Sequence, residues 1–255
     1  MWDERPNVQV LTPTFPLFFH SSDNEARMRL ARALTAYKKA RTNLVTYYTN
    51  LPRDLPPSAP SFPDQTSFRS AGDLIRFDYI AHHTSGNRRV FRARSVSDNK
   101  PLVVKFTPEG YSREVHAFCA RNGFAPALLG YEKLPGGWEM VVMEDLTDSY
   151  DPFDVDALKS EDEQQLISHF QSLHRAGFVH GDVRDSNILM RKQSVKQGPL
   201  FMIFDFDWSG KANQVYYPSE INLEIRRPAD VVGLAPIKVE DDEWMLDEVL
   251  GKGHK

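Results

Sequence analysis

At 255 residues, with 41% hydrophobic and 26% charged side chains and a net charge of −4, the chain can bury a sizeable core and lacks the basic excess that nucleic-acid binding favours. Its one cysteine, Cys119, excludes an intrachain disulfide and thiolate metal sites. No run of about 18 apolar residues offers a membrane span, and the opening MWDERPNVQV has acids and a proline where a signal peptide needs a basic start, so a soluble cytoplasmic or nuclear protein is expected.

From Asp23 to Asn50, Ala26, Leu30, Ala33, Leu34, Tyr37, Leu44, Val45 and Tyr48 recur at helical spacing. One long amphipathic helix is expected, started by Ser22 or Asp23. Its other face carries Arg27, Arg29, Arg32, Lys38 and Lys39, which could meet a membrane or an acidic partner but reads more simply as a solvated face. The next stretch, LPRDLPPSAPSFPDQTSF, holds five prolines between Pro52 and Pro63 and is expected to be an extended linker, because each proline removes a backbone donor.

Three strands are then expected, at Leu74 to Ala81, Val90 to Val96 and Leu102 to Phe106, separated by the turn compositions HTSGNRR and SDNK. A helix from Ser112 should stop before Gly123, and two further strands around Leu128 to Tyr131 and Trp138 to Met143 flank the turn LPGG. The character changes at SEDEQQLISHFQSLHRAG, where Ser160 with Glu163 offers a capping box and Leu166, Ile167, Phe170 and Leu173 form an apolar stripe ending at Gly177. No internal repeat is present.

Directly afterwards comes HGDVRDSNILM, residues 180 to 190, and then the run LFMIFDFDW, whose apolar residues end at Asp205. Two strands joined by RKQSVKQGP would form a hairpin, which sets the start of the first beside the end of the second. Asn187 and Asp205 would then be neighbours, with Asp182 close by. Hard oxygen ligands with spare coordination positions suit Mg²⁺, and an aspartate beside them can orient a hydroxyl and take its proton. Phosphoryl transfer needs this arrangement, since it depends mainly on positioning and on neutralising phosphate charge.

HGDVRDSN resembles the catalytic loop of the protein-kinase-like superfamily, and DFD resembles its metal-binding segment with the glycine replaced. The HGD form is similar to small-molecule kinases and to some small atypical protein kinases. The resemblance implies Asp182 as catalytic base, Arg184 at the place of a lysine that touches the transferred phosphate, and Asn187 and Asp205 as metal ligands. His180 would support the backbone of the metal-binding segment. Upstream, PLVVKF and SREVHAF imply Lys105 on the nucleotide phosphates with Glu114 as its helix partner, and VVMED implies Met143 as gatekeeper with Glu144 to Leu146 as an adenine-pairing hinge. ATP and Mg are the implied cofactors, and a protein or small-molecule hydroxyl is the implied acceptor.

The chain departs from the pattern in two places. The phosphate-covering loop holds only Gly86, and Gly181 stands where protein kinases carry an arginine that clamps an activation-loop phosphate, so no phosphorylation switch is expected. The segment YYPSEINLEIRRPADV and DDEWML are similar to kinase-like proteins of mushroom-forming fungi, within which Asp242 would anchor the catalytic loop; a solvated acidic helix start is the plainer alternative. The expected fold class is α+β: a bilobal protein-kinase-like fold with an antiparallel-sheet N-lobe at residues 67–146 and a reduced helical C-lobe at 147–255, preceded by a helix and linker at 1–66. The helix is expected to pack on the small lobe. The alternative to a kinase is a pseudokinase that works as a nucleotide- or partner-binding scaffold.

Overall fold

The computed structural model describes residues 23–50, 62–83, 89–108, 110–134, 137–222 and 224–253. Most of the proline-rich stretch, Gly86 and the opening ten residues lie outside them. Among the described residues no helix is long and apolar enough to cross a membrane.

Helix α1 (Asn24–Thr49) begins where Asp23 accepts a hydrogen bond from the Ala26 amide at 3.3 Å, a side-chain cap of the expected kind. It belongs to the first of two compact units. Its alanine-, leucine-, arginine- and lysine-rich composition favours helix without packing. None of its residues is buried, and Leu34, Tyr37, Leu44, Val45 and Tyr48 are all exposed.

A second unit, from Asp64, carries a six-stranded antiparallel sheet in the order β1-β2-β3-β4-β6-β5. Its strands are β1 (Ser67–Ser70), β2 (Asp73–His82), β3 (Val90–Ser95), β4 (Pro101–Pro108), β5 (Leu128–Leu134) and β6 (Trp138–Glu144). Five were expected; β1, only four residues long, was not. It exists because the turn at Ala71 and Gly72, both at positive φ, folds it onto β2, with Phe68 opposite Ile75. In β3 the side chains alternate, so Phe91 and Ala93 enter the core while Arg92 and Arg94 do not.

Helix α2 (Arg113–Arg121) follows β4, with the Ser112 hydroxyl accepting from the Val115 amide, and it stops at Gly123 in the left-handed region. After β6 the chain makes β7 (Tyr150–Pro152) and α3 (Ser160–Arg175), which ends at Gly177. Lys159, not Ser160, holds the N-cap position of α3, so the expected capping box starts one residue too late. Strand β8 (Phe178–Val179) then leads into the loop that carries Asp182.

Strands β9 (Ile188–Arg191) and β10 (Phe201–Ile203) pair antiparallel, with Ile188 opposite Ile203. The expected hairpin is therefore present, and Asn187 and Phe204 stand at its open end. β11 (Gly210–Lys211) returns to β8, and α4 (Val239–Val249) closes the chain. One hydrophobic cluster runs from Val103, Val115 and Val141 through Leu166, Phe170 and Val183 to Ile203 and Met245. It gives the sheet and the helical part a shared core, and it holds the site's backbone in place.

Candidate active site

The loop after β8 starts with His180, whose backbone amide donates to Asp242 Oδ2 at 2.7 Å, while the Gly181 amide donates to Asp242 Oδ1 at 2.8 Å. Asp242 is fully buried at the start of α4 and also meets His174 Nε2 at 3.1 Å. Of the two readings of this acid, anchor and solvated helix start, the geometry is that of the anchor. The glycine of HGD also has a local cause. Gly181 sits at φ 81°, and a Cβ there would lie 2.8 Å from Ile237 Cδ1 and 3.0 Å from the Trp208 carbonyl oxygen.

His180 is fully buried: its Nδ1 accepts from the Asp182 amide at 3.3 Å, which leaves Nε2 to donate to the Phe204 carbonyl at 3.0 Å. The ring thus ties the Asp182 loop to the residue preceding Asp205. A second tie is the Phe204 amide on the Asn187 carbonyl at 3.1 Å. Asp205 itself adopts φ 69°, a left-handed conformation that aspartate tolerates better than most residues.

Around Asp182 three side chains converge. Asn187 Nδ2 donates to its Oδ2 at 3.0 Å and to its carbonyl at 2.9 Å, Arg184 pairs with Oδ2 at 2.7 Å, and Arg227 donates to Oδ1 at 3.0 Å. Because the Asn187 amide nitrogen is engaged by Asp182, its amide oxygen is the group left to accept or to ligate. On the other side, Lys105 Nζ pairs with Asp205 Oδ1 and, at 2.8 Å, with Asp207 Oδ1, while Thr107 donates to Asp207 Oδ2 at 3.1 Å.

These charges shift one another. Burial works against the Lys105 ammonium, but the two carboxylates outweigh it and hold its pKa above the ordinary value. Burial likewise pushes the Asp205 carboxyl up, and Lys105 reverses this, leaving it below the usual range. Asp207 is pushed up by burial, with Asp205 adding to the effect. One cation facing two carboxylates leaves the cluster short of positive charge. Asn187, Asp205 and Asp207 are hard oxygen donors, so the set fits Mg²⁺, which completes its shell with water and phosphate oxygens. Among the described residues no three histidine, cysteine or acidic side chains form a ready-made metal cage.

Not every expected residue joins the site. Glu114 was expected to partner Lys105, but it is exposed in the first turn of α2, where its charge faces water near the helix's positive end. The polar side chain that α2 buries is His116, stacked on Phe206 at 4.8 Å and bonded to the Tyr111 hydroxyl at 2.7 Å and the Pro126 carbonyl at 2.9 Å. Its burial lowers its pKa to about 4. The helix phase decides this: Val115, His116 and Cys119 share the buried face, and Glu114 does not.

Met143 is buried on β6 opposite Val103 and Leu128. Glu144 is exposed and its amide donates to the Ala127 carbonyl at 3.0 Å. Leu146 is buried, and its carbonyl accepts from the amides of Ser149 and Tyr150, both at 2.9 Å. Between them Asp145 pairs with Arg92 at 2.8 Å and caps the turn at the Thr147 amide at 2.9 Å. Sequence reasoning missed Thr107, Asp207 and Arg227. The second aspartate of DFD was in plain view; Arg227 had no signal short of the fold.

No protein-family model matches the chain, and no curated protein matches its sequence. Among solved structures, the kinase PK-1 of Cydia pomonella granulovirus superposes with a TM-score of 0.54 at 18% identity, covering 70% of this chain and 69% of that one. The fold is protein-kinase-like. In all, 1454 solved chains match, a breadth that marks a widely used architecture and therefore leaves the chemistry to be argued from the residues.

Proposed function

We propose that the chain is an ATP- and Mg-dependent kinase that transfers the γ-phosphate to a hydroxyl acceptor, on a protein serine or threonine or on a small molecule. The observation that carries this reading is the meeting of Lys105 with Asp205 and Asp207 across about 100 residues of sequence, beside the loop of Asp182 and Asn187. Lys105, Asp182, Asn187 and Asp205, drawn from separate motifs for one reaction, lie together in one fold, and that convergence supports the reading.

In this reading Asp182 orients the acceptor hydroxyl and takes its proton, and Arg184 offsets charge on the phosphoryl oxygens. Lys105 holds the nucleotide phosphates, and Asn187, Asp205 and Asp207 hold the metal. Bound Mg²⁺ supplies charge neutralisation at the phosphates. Met143, Glu144 and Leu146 line the adenine edge, with the Leu146 carbonyl already used by two amides. The two halves of the site carry opposite excess charge: one lysine faces two carboxylates at the metal end, and two arginines face one carboxylate at the acceptor end. That polarity suits a metal on one side and a transferring phosphoryl group on the other.

The pseudokinase reading draws support from Lys105 being neutralised by the very carboxylates that would hold the metal. A thermal melt separates the two. At 100 times its dissociation constant, ATP with Mg²⁺ should add about 2.7 kcal/mol of stability, or about 5–10 °C for a chain of this size. The kinase reading expects that shift to need the metal, to vanish with EDTA and to vanish in Asp205→Ala. An unmoved melt at millimolar ATP sinks it and leaves the scaffold.

A further inference from the structure

The segment between β11 and α4 has almost no regular structure, yet it is firmly built. It doubles back on itself: the Asn213 amide donates to the Ile237 carbonyl at 2.8 Å, the Ile237 amide to the Val215 carbonyl at 2.9 Å, and the Tyr217 amide to the Ala235 carbonyl at 3.0 Å. Tyr217 and Ile237 are buried in a small apolar cluster with Val179, with Trp208 packed against it. Trp208 also meets the Tyr217 ring edge-on at 6.0 Å. The fold-back leaves Arg227 within its loop.

Arg227 is a charged side chain only 4% exposed. Its guanidinium lies 5.3 Å from the Trp208 ring centre, on the aromatic face that attracts cations. Nη1 donates to the Asn222 carbonyl at 3.0 Å, and Nη2 donates to Asp182 Oδ1 at 3.0 Å. Both ends of this contact are therefore fixed from behind, one by the tail segment and one by the loop that Asp242 anchors. Burying a guanidinium is costly unless it is paired, so the tail tolerates Arg227 because Asp182 is there.

The two oxygens of Asp182 are not equivalent. Oδ2 accepts from Asn187 and pairs with Arg184, which fills its two lone-pair directions. Oδ1 has one donor among the described residues, Arg227, and so keeps one direction for an incoming hydroxyl. We propose that Arg227 is a positioning residue of the phosphoryl-transfer site, holding the Asp182 carboxylate by Oδ1 so that the second lone pair of that oxygen faces the acceptor. The inference rests on the kinase reading above. In the step it serves, the acceptor oxygen bonds to the γ-phosphorus, the bond from that phosphorus to the ADP oxygen breaks, and the acceptor proton goes to Oδ1. Asp182 is surrounded by Arg184, Arg227, Asn187 and the His180 ring, and the Arg184 charge also reaches Asp205.

The test needs no knowledge of the natural acceptor. Release of phosphate from ATP with Mg²⁺, water serving as acceptor, is followed in the full chain, in Arg227→Ala and in Arg227→Lys. Misplacing the base is expected to lower kcat about 100-fold in Arg227→Ala, with KM for ATP and the ATP-dependent melting shift unchanged. Arg227→Lys, which keeps a charge but not the planar fork, should fall between. Added guanidinium at millimolar concentration should restore part of the turnover of Arg227→Ala, which a purely structural defect would not permit. Unchanged kcat in a folded Arg227→Ala overturns the proposal, and so does a rise, which would make the contact an inhibitory one. A loss of turnover that neither lysine nor guanidinium repairs, together with a lowered melt, also overturns it by making Arg227 structural. If the unaltered chain neither releases phosphate nor gains stability from ATP with Mg²⁺, the kinase reading itself has failed.

Discussion

Replacing Asp242 with alanine removes a fully buried carboxylate that accepts two backbone amides, at 2.7 and 2.8 Å, and faces His174 at 3.1 Å. The amides of His180 and Gly181 have no water to turn to, and an unsatisfied buried donor costs about 1–3 kcal/mol. Two of them, with the lost contact to His174, give a destabilisation of about 4 kcal/mol, at the upper end of what single substitutions do. For a chain of this length that is a fall in Tm of about 10 °C. Urea unfolding of the two proteins measures the difference directly, and amide exchange at His180 and Gly181 locates it. Asp242→Asn, which keeps one acceptor oxygen but turns an NH₂ toward a donor, should lose about half as much. A loss below about 1 kcal/mol, with exchange at both amides unchanged, would mean that Asp242 does not hold the loop and would refute the anchoring argument.

Gly181→Ala forces a side chain into the left-handed region and against Ile237 and the Trp208 backbone, so a loss of about 2–4 kcal/mol is expected by thermal or chemical unfolding. A near-neutral result would show that the loop can yield there. The buried His116 makes stability pH-dependent. Its folded pKa of about 4 lies below the ordinary value of 6.5, so the unfolded chain binds the proton first as pH falls. Its contribution is full above pH 6.5 and is lost progressively toward pH 4, by about 3 kcal/mol in all. His169, lowered to about 4 by burial, adds in the same direction, while Asp207, raised by burial, works against both. His116→Gln should reduce the fall in unfolding free energy across that interval and leave the His169 share; an unchanged slope would show that His116 does not contribute.

Much of the fold was legible because local chemistry and tertiary packing agree. The helix stops at Gly123 and Gly177, five of the six strands of the large sheet and the β9–β10 hairpin follow from turn residues, strand composition and apolar runs, all short-range signals. The order of motifs along the chain was likewise enough to nominate Lys105, Asp182, Asn187 and Asp205, because the topology that unites them is a property of that order. Strand β1 was not expected because four residues carry little periodicity, and it is held by tertiary contacts: pairing with β2, burial of Phe68 against Gly130 and the Arg69 amide on Glu132.

Other features depended on the third dimension. Whether Glu114 or His116 faces Lys105's side of the sheet is a question of helix phase, and α2 buries its own apolar stripe first, leaving the glutamate in water. Asp242 could be a surface acid or a buried anchor from sequence alone; the difference is 0% exposure and two amides placed by a loop more than 60 residues away. Arg227 is the clearest case, lying 45 residues from Asp182 in a segment with no regular elements. A sequence records which charges a chain possesses. Only the folded backbone decides which of them are taken out of water, and a buried charge must find its partner wherever in the chain that partner lies.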